Sequence, residues 1–373
     1  MRAFLLPTVA LTITAAAAPL PEFPASAVWS RDISNTTTYP ASSNSSTMIT
    51  ATGGWGNSNK FQIDQSMHVV HVKVGDPTPP MVTVVAGPYG YTYDPLDPTS
   101  QDCEPLAGLT FPLPPGGAIE GTADYTSCAN DSDDCHLFVV LDSTKKLYES
   151  YETKLVSGQL QSGCVVIWDL NKVYPPQGRG EQCTSADAAG FPMAPLLFNA
   201  DEVYAAIQSG GDFGHAIRFI LPNAKMASVP NPAFTCGTGG RQGLYVHPAS
   251  HGGCPTGPST AIPYGSRLRL HSNYNISGYS AAGQAVLRTM KKYGIVLSDG
   301  GNVALTAEDD MFTTHKWAEF GFDESNVYME QMVVGVQMTD FDVVETGPQH
   351  LLTYSCDRST VPDDFVFIDY LDY

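Results

Sequence analysis

Apolar and polar positions alternate with a period of two through much of the chain beyond Phe61. The runs MHVVHVKV and MVTVV are alternating or β-branched and are bounded by Pro and Gly, which predicts two strands. The runs HLFVVLD and KLYESYETKLV flank the turn Ser143–Lys145 and predict a hairpin, with CVVIWDL following as another strand. Three further strand-like stretches, GHAIRF, GLYVHPASHGG and YGSRLRLHSNY, differ from these because each mixes histidine or arginine into the apolar pattern. In YGSRLRLHSNY, Leu268 and Leu270 share one face, while Arg267, Arg269 and His271 share the other, as solvated surface or as the lining of a cleft.

Helical periodicity is rare. Asn199 can cap DEVYAAIQ, with Asp201 and Glu202 in the favourable first turn and Gly210 beyond the end. Ser280 can cap AAGQAVLRTMKKYG, whose Val286, Leu287, Met290 and Tyr293 form one stripe, with Lys291 and Lys292 in the last turn and Gly294 as the stop. A third, shorter helix is expected after Glu308 or Asp309. Residues Gly87–Gly121 are dense in Pro and Gly and predict a long irregular connection, and no fixed-period repeat points to a propeller. The expected fold is mainly β, a β-sandwich or jelly-roll-like single domain with two or three peripheral helices.

The N-terminus changes the picture. Arg2 precedes a short apolar run ending in alanines, the pattern of a secretory signal peptide spanning 1–18, with cleavage as late as 27 as the alternative. Residues 28–60, rich in Ser, Thr and Asn, are expected as an exposed segment, and 61–373 as the globular domain. Sequons at Asn35, Asn44, Asn130 and Asn275 fit a secreted glycoprotein. Eight cysteines without a CxxC pair read as staples, and spacing suggests Cys128–Cys135, Cys164–Cys183, Cys236–Cys254 and Cys103–Cys356. With 38 acidic against 19 basic residues the net charge is −19, which argues against nucleic acid and anionic membrane surfaces. No cofactor is called for, and the protein is expected to be a monomer.

For chemistry, Glu149 shares a strand face with Leu147 and Tyr151, Asp187 lies in CTSADAAGFP, and Asp299 in LSDGGN. Two carboxyl groups roughly 5 to 10 Å apart could serve as acid and base on a sugar. In GHAIRF, His215 and Arg218 fall on opposite strand faces. They are either a core histidine donating to a carbonyl and an arginine paired with a carboxylate, or parts of a site. His247 and His251 sit four apart beside Pro248 and Gly252, a loop pattern rather than a metal-binding helix, so a metal held by His215, His247 and His251 is disfavoured. There is no GxSxG elbow and no Gly-rich phosphate loop.

Several segments together, among them FPLPPGGAIEG, DCHLFVVLDSTKKLYESYE, VVIWDL, TSADAAGFPMAPLLFNADEV, HAIRF, YVHPASH, YGSRLRL and ISGYSAAGQAVLRTMKKYGIVLSDGG, are similar to a family of secreted bacterial, especially actinomycete, and fungal proteins, mostly uncharacterised. The resemblance runs from about Phe61 to Val344. It implies recurring polar positions at Glu149, Asp187, Asp201, Glu202, His215, Arg218, His251, Arg267 and Asp299. The family often carries tryptophan and arginine where this chain has His247 and Ser250.

These features point to an extracellular carbohydrate-active enzyme that cleaves a polysaccharide. Hydrolysis through Glu149, Asp187 and Asp299 is favoured over β-elimination, in which Arg218 or Arg267 would neutralise a uronate while His215, His251 or Tyr245 took the proton. Tyr245, His247 and Trp168 complete the substrate contacts expected beside the two arginines. The alternative is a non-catalytic cell-wall or glycan-binding protein.

Overall fold

A computed structural model describes residues 19–87, 90–94, 97, 100–125, 134–234, 236, 240–322 and 327–361. The expected signal peptide, Cys128 and Asn130 lie outside the described residues. The protein is mainly β, sandwich-like, with few helices. None of the described helices is long and apolar enough to cross a membrane.

The predicted hairpin forms between Leu137–Leu141 and Lys146–Tyr151, and Cys164–Asp169 pairs antiparallel to its second strand. Val69–Val72 completes this four-stranded sheet on the other side, parallel to Leu137–Leu141. The run LFVVL is continuously apolar because both of its faces are covered. Leu137 and Val139 pack with Val84, Phe111 and Leu160 of a second four-stranded sheet. Phe138 and Val140 pack with Trp168, Met193, Leu197 and the N-terminal Leu20 and Phe23.

The largest sheet has six strands, in the order Ile63–Met67, Leu305–Glu308, Ile217–Leu221, Ile295–Gly300, Arg267–Leu270 and Phe341–Val343. The helices Ala200–Ser209 and Ala281–Lys292 lie against Ile217, Phe219, Ile295, Leu297 and Leu305 in one apolar core. Both helices begin as their sequences predict. Asn199 accepts from the Glu202 backbone N–H in a capping box, and Ser280 accepts from the Gly283 N–H. The third helix expected after Glu308 is replaced by turns and a 3₁₀ helix at Trp317–Phe320. The carboxylates of Asp309 and Asp310 accept backbone N–H groups of Met311 and Trp317, which supports turns in place of a continuing helix.

The 28–60 stretch is less exposed than its composition predicts. Residues Ser45–Thr52 form a helix, and Ile33, Ile49 and Trp55 are buried, Trp55 stacking on Phe61. Its sequons at Asn35 and Asn44 are exposed, as is Asn275.

Three disulfides are described, Cys103–Cys164, Cys183–Cys356 and Cys236–Cys254. The last follows the spacing rule, whereas Cys164–Cys183 and Cys103–Cys356 do not form. Cys103 is brought to Cys164 instead because the irregular 91–104 segment runs along the strand Cys164–Asp169. Thr92 donates its N–H to Gly163 O and Glu104 to Val165 O.

Candidate functional site

The site grows from the face of the six-stranded sheet opposite the helices. Ile63, Phe219 and Leu305 point into the apolar core, so strand alternation turns their neighbours Asp64, Arg218 and Thr306 to the other side. Asp64 and Thr306 are register partners on adjacent parallel strands. Arg218 Nη1 donates to Thr306 Oγ1 at 2.7 Å.

Two carboxylates meet this arginine. Arg218 Nη2 donates to Asp187 Oδ1 at 3.0 Å and lies 3.8 Å from Asp299 Oδ2. Asp187 comes from the tight loop of TSADAAG. Ser185 Oγ accepts the Asp187 N–H and donates to Phe191 O, and Gly190 N–H closes back on Asp187 O. Gly190 has φ +79°, and a Cβ there would lie 2.4 Å from Ser250 Oγ and 2.5 Å from Cys183 O, so only glycine fits this turn. Asp299 comes from the strand Ile295–Gly300, whose pairing with Ile217–Leu221 shifts register between Phe219 and Ile220.

Burial divides the pair. Asp187 is fully buried, while the Asp299 side chain is 28% exposed. Burial pushes the Asp187 carboxyl well up; Arg218 draws it back, and the neighbouring Asp299 raises it further. Asp187 Oδ2 has no donor partner. Two carboxylates of unequal burial are thus held by one guanidinium. Arg218 Nε and Tyr264 Oη are also buried without partners, and Tyr264 feels the charges of both aspartates.

A second ion pair supports the loop from below. His136 Nδ1 donates to Glu120 Oε2 at 2.8 Å, and Nε2 donates to Ala186 O at 3.1 Å. Both ring nitrogens face acceptors, an arrangement only the imidazolium satisfies. Burial alone would push this histidine down, but Glu120 and Asp134 outweigh it and lift it to about 9. Glu120 also accepts from Ser66 Oγ and the His136 N–H, while the Ser66 N–H donates to Asp64. Asp134 has exposed surface, yet desolvation by its surroundings lifts its carboxyl to about 6, and half-buried Tyr151 packs 5.6 Å from the His136 ring.

His251 joins the same neighbourhood. Its Nδ1–H donates to Ala188 O at 2.8 Å, while the Ala188 N–H donates to Asp299 Oδ2 at 3.3 Å. Burial holds His251 below the usual histidine range, so its Nε2 is an acceptor near neutral pH.

Of the residues singled out in the sequence, Asp187, Arg218, Asp299 and His251 come together. The others do not. His215 donates from Nδ1 to Ala216 O and meets Glu202 at 3.1 Å, tying the strand to a helix; for this residue the core reading holds. Glu149 and Trp168 are interior partners. Trp168 Nε1 and the Met193 and Ala194 N–H groups all donate to the Glu149 carboxylate, which burial lifts to about 7, and Trp168 is too buried to stack on a sugar. Arg267 donates to Tyr293 O, Val28 O and Arg31 O, and Arg269 to Ile33 O and Tyr39 O. The arginine row is thus neither solvated surface nor cleft but is covered by the N-terminal segment. Tyr245 and His247 both bind Glu181, at 2.6 and 2.8 Å, beside His350. His215, His247 and His251 accordingly have separate partners and no common focus.

The residues missed were Asp64, Glu120, Asp134, His136, Tyr151, Tyr264 and Thr306. The available signal was a polar residue just outside an apolar run, as with Glu120 in AIEG and His136 in DCHLF. Comparison with family models, curated proteins and solved structures returns no match for this chain.

Proposed function

We propose that the protein is a secreted hydrolase that cleaves a polysaccharide by acid–base chemistry at the Asp187–Asp299 pair. The observation that carries this reading is the pair of carboxylates, one buried and one part-exposed, held at 3.0 and 3.8 Å from one guanidinium. A carboxyl kept protonated by burial and by a second carboxylate beside it is the form a general acid needs. Asp299 is the exposed member and transfers the proton to the leaving glycosidic oxygen, while Asp187 and Arg218 act as positioning residues that hold it in place. Asp134 at the rim supplies the second carboxylate that activates water, and Tyr151 offers a ring face to the sugar. The disulfides and the leader-like N-terminus support export.

Elimination from a uronate polymer loses support because Arg218 is only 2% exposed and bonded to Asp187 and Thr306. Of the other residues in that reading, Arg267 is spent on backbone carbonyls, His215 lies with Glu202 and Tyr245 with Glu181, which leaves only His251 at the site.

The test is incubation with neutral, amino-sugar and uronate polysaccharides, following reducing ends together with the ultraviolet absorbance of unsaturated products. Reducing ends without absorbance, lost by at least about a hundred-fold in Asp299→Asn, are expected for a general acid. Absorbance would mean elimination. Silence over the whole panel would favour a glycan-binding protein.

A further inference from the structure

We infer that the site takes an ammonium-bearing polysaccharide, a polymer of amino sugars with free amines. The inference rests on the polysaccharide reading above and names its substrate class.

The argument begins with which charges are spent. Five carboxyl groups surround the site, from Asp64, Glu120, Asp134, Asp187 and Asp299, and Asp64 and Asp134 both feel the charges of Glu120 and Arg218. Against them stand two buried cations. Arg218 spends its terminal nitrogens on Thr306 and Asp187, and His136 spends both ring nitrogens on Glu120 and Ala186 O. Even with the buried Asp187 protonated, negative charge remains in excess, and it is the carboxylates that reach solvent. Asp134 is exposed, and the side chains of Asp299 and Glu120 are 28% and 18% exposed.

A second observation is independent of charge counting. Fully buried Asp187 leaves Oδ2 without a donor. Carboxylates only accept hydrogen bonds, and an ammonium group has three donors and no acceptor. Such a wall is complementary to an ammonium, tolerates a hydroxyl, and repels a uronate that brings more acceptors and the same sign. The net charge of −19 biases encounter in the same direction at long range.

The experiment measures binding apart from turnover, by calorimetry in the cold. The ligands are oligomers of glucosamine and of galactosamine, their N-acetylated counterparts, and oligogalacturonate. The expected result is about ten-fold tighter binding of at least one free-amine oligomer than of its acetylated form, a preference that weakens with salt. It should fall to about two-fold or less in Asp64→Asn/Asp134→Asn, yet persist in Glu345→Gln, which removes an acidic charge outside the cluster. Equal affinity for both forms, preference for the uronate, no binding, or a preference that survives the double substitution would each overturn the inference. Reducing ends released from a neutral polymer alone would leave the hydrolase reading standing without it. Site-dependent binding of the free amine without any cleavage would do the reverse.

Discussion

Arg218 and Asp299 meet because the strand Ile295–Gly300 carries one residue more than its partner. Phe219 pairs with Leu297, but Ile220 pairs with Asp299, so Ser298 is the inserted residue of a β-bulge. Under strict alternation Asp299 would follow Ile295 and Leu297 into the core beneath the helices. The bulge instead brings its carboxylate to 3.8 Å from the Arg218 guanidinium. The Arg218–Asp299 contact is thus created by a break in the sheet's own regularity.

Removing the guanidinium should expose how much charge it balances. Arg218→Met is expected to cost about 3–5 kcal/mol at neutral pH, because it strands a buried carboxylate. The loss should shrink as pH falls and the buried Asp187, whose carboxyl burial raises, takes up its proton. Urea midpoints at pH 7 and pH 4 check this, and an equal loss at both would show that Arg218 contributes packing rather than charge.

The His136–Glu120 pair makes stability depend on pH in the opposite sense. His136 is raised from 6.5 to about 9, so its contribution is complete below about pH 6.5 and is lost as pH rises through about 9. The stability at stake is on the order of 3 kcal/mol. In thermal melts across that interval, the wild type should fall further than His136→Gln, which has no proton to lose. Parallel curves would place the alkaline loss elsewhere.

Processing can be tested at Phe23. Its ring packs edge-on against Trp168 and Tyr174, at centroid distances of 6.2 and 5.7 Å. Phe23→Ala should cost about 3 kcal/mol. A chain beginning at Val28 should show red-shifted tryptophan emission, whereas one beginning at Pro19 should match the full-length protein. Identical emission from both shorter chains would mean the 19–27 segment is dispensable to the core.

The cross-links are open to direct mapping. A non-reducing digest should yield linked peptides containing Cys103 with Cys164 and Cys183 with Cys356. The second closes a separation of 173 residues, and its removal as a Ser/Ser double variant should cost about 2–5 kcal/mol.

What could be read from the chain was whatever a short window determines. The hairpin around Ser143–Lys145 and the helices capped by Asn199 and Ser280 are set by alternation, turn residues and caps a few positions away, so they stood out. Asp187 and Arg218 were visible as polar residues in apolar surroundings. What joins them was not, because the bulge at Ser298 leaves no trace in a two-residue period, and DGG imitates a plain turn. The arginines at 267 and 269 were misjudged for a different reason. Most of their partners are backbone carbonyls of residues 28–39, which have no side-chain signature and lie far off in sequence. Glu149 and Trp168 resembled site residues because an interior hydrogen-bonded pair uses the same residue types as a sugar-binding cleft.

The carbonyls that satisfy Arg267 and Arg269 also impose an order on folding. Val28 O and its arginine are separated by 239 residues, and Ile33 O and Tyr39 O lie comparably far from theirs. Made first, the N-terminal strap has no seat until the strand Arg267–Leu270 has emerged and paired. The two guanidinium groups in turn cannot be buried until the strap arrives, since unpaired charge is too costly to enclose. Residues 28–39 thus dock only onto a strand 230 to 239 residues further along the chain, and the sheet's arginines are enclosed by two segments far apart in sequence.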